Sequence, residues 1–268
     1  MSIAVPRPLY GLDGTRSLVP LGRVAVGIGG IVLWQIASNG MGSTWLPGPA
    51  AVLERIWRLT ASGELARDTL VTFWEAAAGM VLGGATGAAL PFVLRLSPRL
   101  MTALDPLISA GFGLPKLALA PLFILWFGIG ITTKVVFVAS IVFFLMFYNA
   151  LAGILSVDPR LMAMLRVAGA SEWVISREVV WNTAKPFLFS GLKIALPRAL
   201  SGAVVGEFIA ADSGLGWYIQ NERSLNDTTG VVAGAVIVTV LVMAVNAVLQ
   251  RVQARSLSWR PVAKDMAI

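Results

Sequence analysis

The sequence contains no cysteine and no histidine. Without thiols there is no disulfide framework and no thiolate-held metal. Without imidazole there is no His-ligated zinc site, no Ser-His or Cys-His nucleophile pair and no histidine proton relay. Most hydrolytic chemistry is closed to such a chain. Charge is scarce as well: 13% of the 268 residues are Asp, Glu, Lys or Arg, where a soluble domain devotes about 25%. Hydrocarbon takes its place, with 57% apolar side chains and a mean hydropathy of +0.79. This is the composition of an integral membrane protein. The net charge of +7 then belongs to loop Lys and Arg that set orientation or meet anionic lipid headgroups, and not to a nucleic-acid surface.

A spanning helix needs about twenty mostly apolar residues. The sequence offers six such segments, roughly 18–38, 69–94, 101–128, 132–155, 187–211 and 229–250. The expected fold is all-α and polytopic. Six crossings return both termini to one side, and the connections on that side carry thirteen Lys and Arg against five on the other. The positive-inside rule makes that side cytoplasmic. No small-x-small cleavage site follows the first apolar run, which reads as an uncleaved anchor. The outer segment "LPGPAAVLERIWRLTASGEL" opens on Pro47 and Pro49 and spaces Val52, Ile56 and Leu59 for a short interfacial helix.

Gly79, Gly83 and Gly87 lie along one ridge of the second span. Such a ridge admits a neighbouring backbone, either in ordinary helix packing or in a homodimer seam. Glu75, Asp105, Lys116, Lys193, Arg198 and Glu207 fall inside apolar spans. The first two and Lys193 lie near span ends, where snorkelling to the interface explains them. Arg198 lies about 16 Å into its span and follows Pro197, which permits a kink. Nine steps of about 100° put Arg198 and Glu207 on opposite helix faces, so they do not pair with each other. Each therefore has a pathway or gate reading beside a structural, interhelical one. In "GFGLPKLALAPLFILWFGIG", Pro115 and Pro121 are expected to interrupt hydrogen bonding, with Lys116 beside the first. Broken helices at membrane depth border translocation paths, although kinked packing alone also accounts for them.

The cytoplasmic passage "SVDPRLMAMLRVAGASEW" sets Asp158 before Pro159, an N-cap followed by a proline suited to the first helical position. Leu161, Met162 and Leu165 form an apolar stripe flanked by Arg160 and Arg166. Gly169 stops this helix, and Ser171 with Glu172 starts another. An amphipathic pair of this kind lies on lipid or docks into a groove of a partner.

With "LPGPAAVLERIW", "LPKLALAPLFILWFGIGITTKVVFV", "VDPRLMAMLRVAGAS" and "GLKIALPRALSGAVVGEFIAADSGLGW" in view, the chain from about residue 45 to 255 resembles the permease subunits of type I ABC importers, in the nitrate, sulfonate and taurine branch. The resemblance implies an N-terminal part at 1–64, a transmembrane domain at 65–252 and a cytoplasmic tail at 253–268. It makes 157–182 the EAA-like loop that couples to a cytoplasmic ATPase through Ala163, Met164, Leu165, Arg166, Gly169, Ala170, Ser171 and Glu172. Ala163 stands where the family has its glutamate, and Trp181–Asn182 where it has Leu-Pro. That departure points to a specialised ATPase partner or to a salt bridge shifted to Glu172. The implied partners are ABC ATPase subunits, a periplasmic or lipid-anchored substrate-binding protein, a second permease copy and membrane lipid. Pro115, Lys116, Pro121, Arg198 and Glu207 are the candidate pathway or gate residues. The implied solute is a small organic or inorganic anion such as a sulfonate or nitrate, and no cofactor is expected.

The chain has no GxxxxGK[ST] phosphate loop, so ATP chemistry is expected in a separate subunit and not in this one. A competing reading is an ion-coupled secondary transporter using Glu207, Arg198 or Glu75. An intramembrane enzyme is disfavoured by the missing His and Cys and by the absence of paired aspartates at matching depth.

Overall fold

The computed structural model describes residues 18–256. The first 17 residues of the N-terminal part expected at 1–64, and the tail expected at 253–268 beyond Ser256, lie outside the described residues. Helix α1 (Leu18–Met41) is followed by α2 (Pro49–Ser62) and by α3 (Glu64–Leu94). Next come α4 (Pro98–Gly113), a 3₁₀ turn at Lys116–Leu119, α5 (Ala120–Phe127) and α6 (Ile131–Leu155). The loop helix α7 (Pro159–Val167) and the short α8 (Glu172–Val174) lead through a π-helical turn, Ile175–Val180, into α9 (Trp181–Ala210). Helices α10 (Leu215–Ser224) and α11 (Thr228–Ser256) complete the described residues. Among the described residues five helical stretches are long and apolar enough to cross a membrane, or six when α4 and the segment Lys116–Phe127 count as one bent span.

The core is the stack of α3, α6 and α9. Glycines on α3 decide how close the first two come: a Cβ on Gly83 would stand 2.8 Å from the Ala139 Cα, and one on Gly87 3.0 Å from the Phe143 Cα. Val138 fills the space over Gly79 in the same way. The ridge is therefore spent on packing within the chain, and it is not free to form a homodimer seam. Between α6 and α9, Gly191 meets Asn149 and Gly153 meets Ala184 at similarly short range. Val138, Val142, Met146 and Ala150 of α6 interleave with Ala195, Ala199, Leu200 and Ala203 of α9. In lipid such close van der Waals contact, rather than exclusion of water, holds helices together. A second, outer cluster joins Leu59 of α2 to Leu215 and Tyr218 of α10 and Ile237 of α11.

The third span departs from the single helix expected at 101–128, because α4 and the following segment meet at 89°. Pro115 sits at this break, and the residue before it, Leu114, is extended at ψ 131°, as a pre-proline residue prefers. Pro121 does not interrupt hydrogen bonding as expected. It occupies the first turn of α5, where its missing N–H costs nothing. The fifth span begins well before residue 187: backbone helix runs without a gap from Glu172 to Ala210, carrying Pro186 and Pro197 inside it. Polar Asn182 and Lys185 hid this extension from hydropathy.

Candidate functional site: the coupling loop and the exposed face of α9

Helix α7 is built as its sequence dictates. The Asp158 carboxylate accepts from Arg160 N–H at 2.8 Å, and Pro159 occupies the first turn. At the other end Gly169 adopts φ 80°; its N–H donates to the Arg166 carbonyl and the Ala170 N–H to the Leu165 carbonyl, both at 3.0 Å. This paired closure is a Schellman cap, and it needs the left-handed conformation that glycine adopts without strain. Ser171 caps α8, accepting from Val174 N–H at 3.4 Å.

The loop helix has two faces. Met162, Leu165 and Ala170 pack inward on Val157, Ile175 and Val180. Ala163, Met164 and Val167 point away from the protein, with Met164 61% and Val167 91% exposed. Leu161, expected within the inward stripe, lies at the edge of the outward face. Glu172 bridges two arginines: Arg166 Nε donates to it at 2.8 Å, and Arg95 Nη2, from the end of α3, stands 3.7 Å away. Arg95 also donates to Ser176 in the π-helical turn. Glu172 thus ties the loop to α3 and to the root of α9 within the chain.

At the other end of the bundle lies a buried polar network that hydropathy did not disclose. Glu75, read from sequence as a snorkelling residue, is 1% exposed and forms an ion pair with Lys134. Lys134, counted among loop residues, is itself 4% exposed because it falls in the first turn of α6. Asp68, Thr72 and Glu75 share one stripe of α3 at i, i+4 and i+7, and that spacing was the available signal. Glu207, a gate candidate, is 1% exposed and not on a free surface. Its carboxylate accepts from Thr72 Oγ1 at 2.7 Å and from Gly216 N–H at 2.6 Å. Thr72 Oγ1 accepts from Leu215 N–H at 2.9 Å, and Asp68 Oδ1 from Gly214 N–H at 3.2 Å. Three acceptors from α3 and α9 therefore satisfy the orphan N–H groups of α10, whose own N-cap residue, Gly214, has no side chain to offer.

Arg55 of α2 pairs with Glu222 at 2.7 Å and with Asp227, pinning α2 to α10 and α11. Burial pushes the Glu222 carboxyl above its usual range. Burial also raises the Tyr218 hydroxyl to about 12, helped by the Glu222 charge beside it. Asp227 is held low despite burial, because Gly230 N–H and Arg55 favour its ionised form.

The remaining pathway candidates are not gathered in one place. Lys116 donates to the carbonyls of Gly111 and Leu114 and stands 4.5 Å over the Phe144 ring. It neutralises the carbonyl end of α4 where the span breaks. Arg198 is exposed on α9, on the face opposite buried Glu207.

Residues 79–258 match the model of a protein family described as "Binding-protein-dependent transport system inner membrane component". The chain belongs to this family. Among its relatives the permease is 37% identical to the riboflavin transport system permease protein RibX of Chloroflexus aurantiacus, over 74% of this chain and 75% of that one. It is 31% identical to the putative aliphatic sulfonates transport permease protein SsuC of Bacillus subtilis, over 86% and 84%. A crystal structure of an amino acid ABC transporter with histidines superposes with a TM-score of 0.62 at 17% identity, over 74% of this chain and 96% of that one. The fold is that of type I ABC importer permeases, and the chain is a multi-pass inner-membrane permease component of a binding-protein-dependent ABC importer.

Proposed function

We propose that this permease draws its energy from a separate cytoplasmic ABC ATPase, which grips the outward face of α7, and receives its solute from a substrate-binding protein on the opposite side. Two copies form the pathway across 65–252, embedded in lipid with both termini in the cytoplasm. Ala163, Met164, Leu165, Arg166, Gly169, Ala170, Ser171 and Glu172 make or position the ATPase contact. Pro115, Lys116 and Pro121 shape the broken third span beside the pathway, Arg198 faces it, and Glu207 acts from behind by holding α10. The solute is small and, in this reading, anionic. The name of the sulfonate relative favours that charge, whereas the riboflavin relative warns that the branch is broad.

The exposure of Met164 and Val167 carries the coupling reading. An apolar face bared on a loop, on a helix whose other face packs inward on the protein, fits a groove on a partner. The same loop is tied through Glu172 and Ser176 to α3 and α9, so movement of the ATPase reaches two core helices without a flexible link. The test is co-purification. Val167→Asp and Met164→Asp leave the permease folded in the membrane and lower ATPase retention about tenfold or more, since each buries a charge in an apolar contact. Wild-type retention in both variants, or uptake that persists without any ATPase, overturns the reading.

A further inference from the structure

The structure sorts the charges inside the apolar helices into engaged and unengaged. Glu75 and Lys134 hold each other, Glu207 caps α10, and Lys116 caps the break in the third span. Asp105 on α4 and Lys193 and Arg198 on α9 remain exposed. Among the described residues no ion pair forms to any of the three. Lys193 lies as deep in α9 as Arg198. With α9 running from Trp181 to Ala210, Lys193 stands about 18 Å and about 26 Å from its two ends, and Arg198 about 26 Å from one end and about 18 Å from the other at the helical rise.

The place of Arg198 on the helix matters as much as its depth. Ala195, Ala199, Gly202, Ala203 and Gly206 bury one face of α9 within the bundle. Ile194, Arg198 and Ser201 leave the other face bare at mid-helix, and Phe208 is exposed again beyond Val205, which packs on Ala120, Phe123 and Phe137. A guanidinium never loses its proton in a protein and cannot snorkel from this depth, so lipid is the costliest neighbour it could have. A wet path along the bare face removes that cost, and a planar fork of donors in such a path matches the oxygens of an oxyanion.

We propose that Arg198 is the contact by which the pathway recognises its solute, and that the solute carries a sulfonate, carboxylate or comparable oxyanion group. The inference rests on the importer reading above and adds the recognising residue and the chemistry it recognises. The competing use of the same side chain is an ion pair with Asp105 of a second copy.

The test uses proteoliposomes holding the complete complex of permease, ATPase and binding protein, with taurine, ethanesulfonate and riboflavin as probes. The wild type is expected to import an anionic probe with ATP. Arg198→Gln slows that import about tenfold or more in a complex that still assembles. Arg198→Lys, which keeps the charge but loses the fork, retains an intermediate rate. Lys193→Gln, removing the other exposed cation of α9, imports at the wild-type rate. Unchanged anion import by Arg198→Gln overturns the inference, as does ATP-driven import of riboflavin alone, or an equal loss in Asp105→Asn. All three leave the importer reading standing. Absence of ATP-dependent import of every probe, together with no bound ATPase, sinks the importer reading itself.

Discussion

Gly169 sits where α7 must stop and reverse, at φ 80° with nothing within 4 Å of the position a Cβ would take. The demand there is conformational and not steric. An ordinary side chain in the left-handed region costs about 1–2 kcal/mol, and Asn tolerates it better. Gly169→Leu is therefore expected to insert normally but to lose solute-stimulated ATP hydrolysis in the reconstituted complex, while Gly169→Asn keeps most of it. Normal stimulation in the leucine variant would show that the shape of the turn is irrelevant to coupling. The cap was legible from Asp158, Pro159 and Gly169 alone, because capping is a contract between residues close in sequence. The engagement of Glu172 was not. Arg95, one of its partners, lies far away in the chain, and no local rule brings it near.

At the scale of elements, α3 is organised by two stripes. Glycines face α6 so that backbones touch, while Asp68, Thr72 and Glu75 face the outer network. Removing one member of a buried ion pair leaves the other charge stranded, at a cost of about 3–5 kcal/mol. Glu75→Ala is thus expected to lower the thermal stability of the purified permease sharply. Replacing both partners, as Glu75→Leu with Lys134→Met, costs less than either single change, because two apolar groups strand nothing. Equal melting temperatures for wild type and Glu75→Ala would show that the pair is not felt in the folded protein. The six apolar stretches were visible in hydropathy, yet their ends were not. Glu64 and Asp68 hid the start of α3, and Asn182 and Lys185 hid the start of α9, since hydropathy counts a polar residue as outside even when a helix carries it inward.

For the whole molecule, the helices divide into packed and bare. The stack of α3, α6 and α9 satisfies itself, whereas α4 contributes no buried residue and the apolar window of α1 is 6% buried. The bare stripe of α9 carries a guanidinium. A single copy exposes all of this to lipid, so two permease copies are expected per complex, and native mass spectrometry of the purified assembly reads that number directly. A complex containing one copy would contradict the pathway proposed above.

By itself the sequence determined that this chain lives in a membrane and that a capped amphipathic helix interrupts its spans. Each of these follows from composition or contacts between near neighbours in sequence. Tertiary structure decided which charges are free. Glu75, Glu207 and Arg198 look alike as ionisable residues in apolar runs, and only the packing of distant helices separates two that are paired or hydrogen-bonded inside from one left bare. The physical reason is that the cost of a charge in lipid is set by its partners, and those partners lie on other helices.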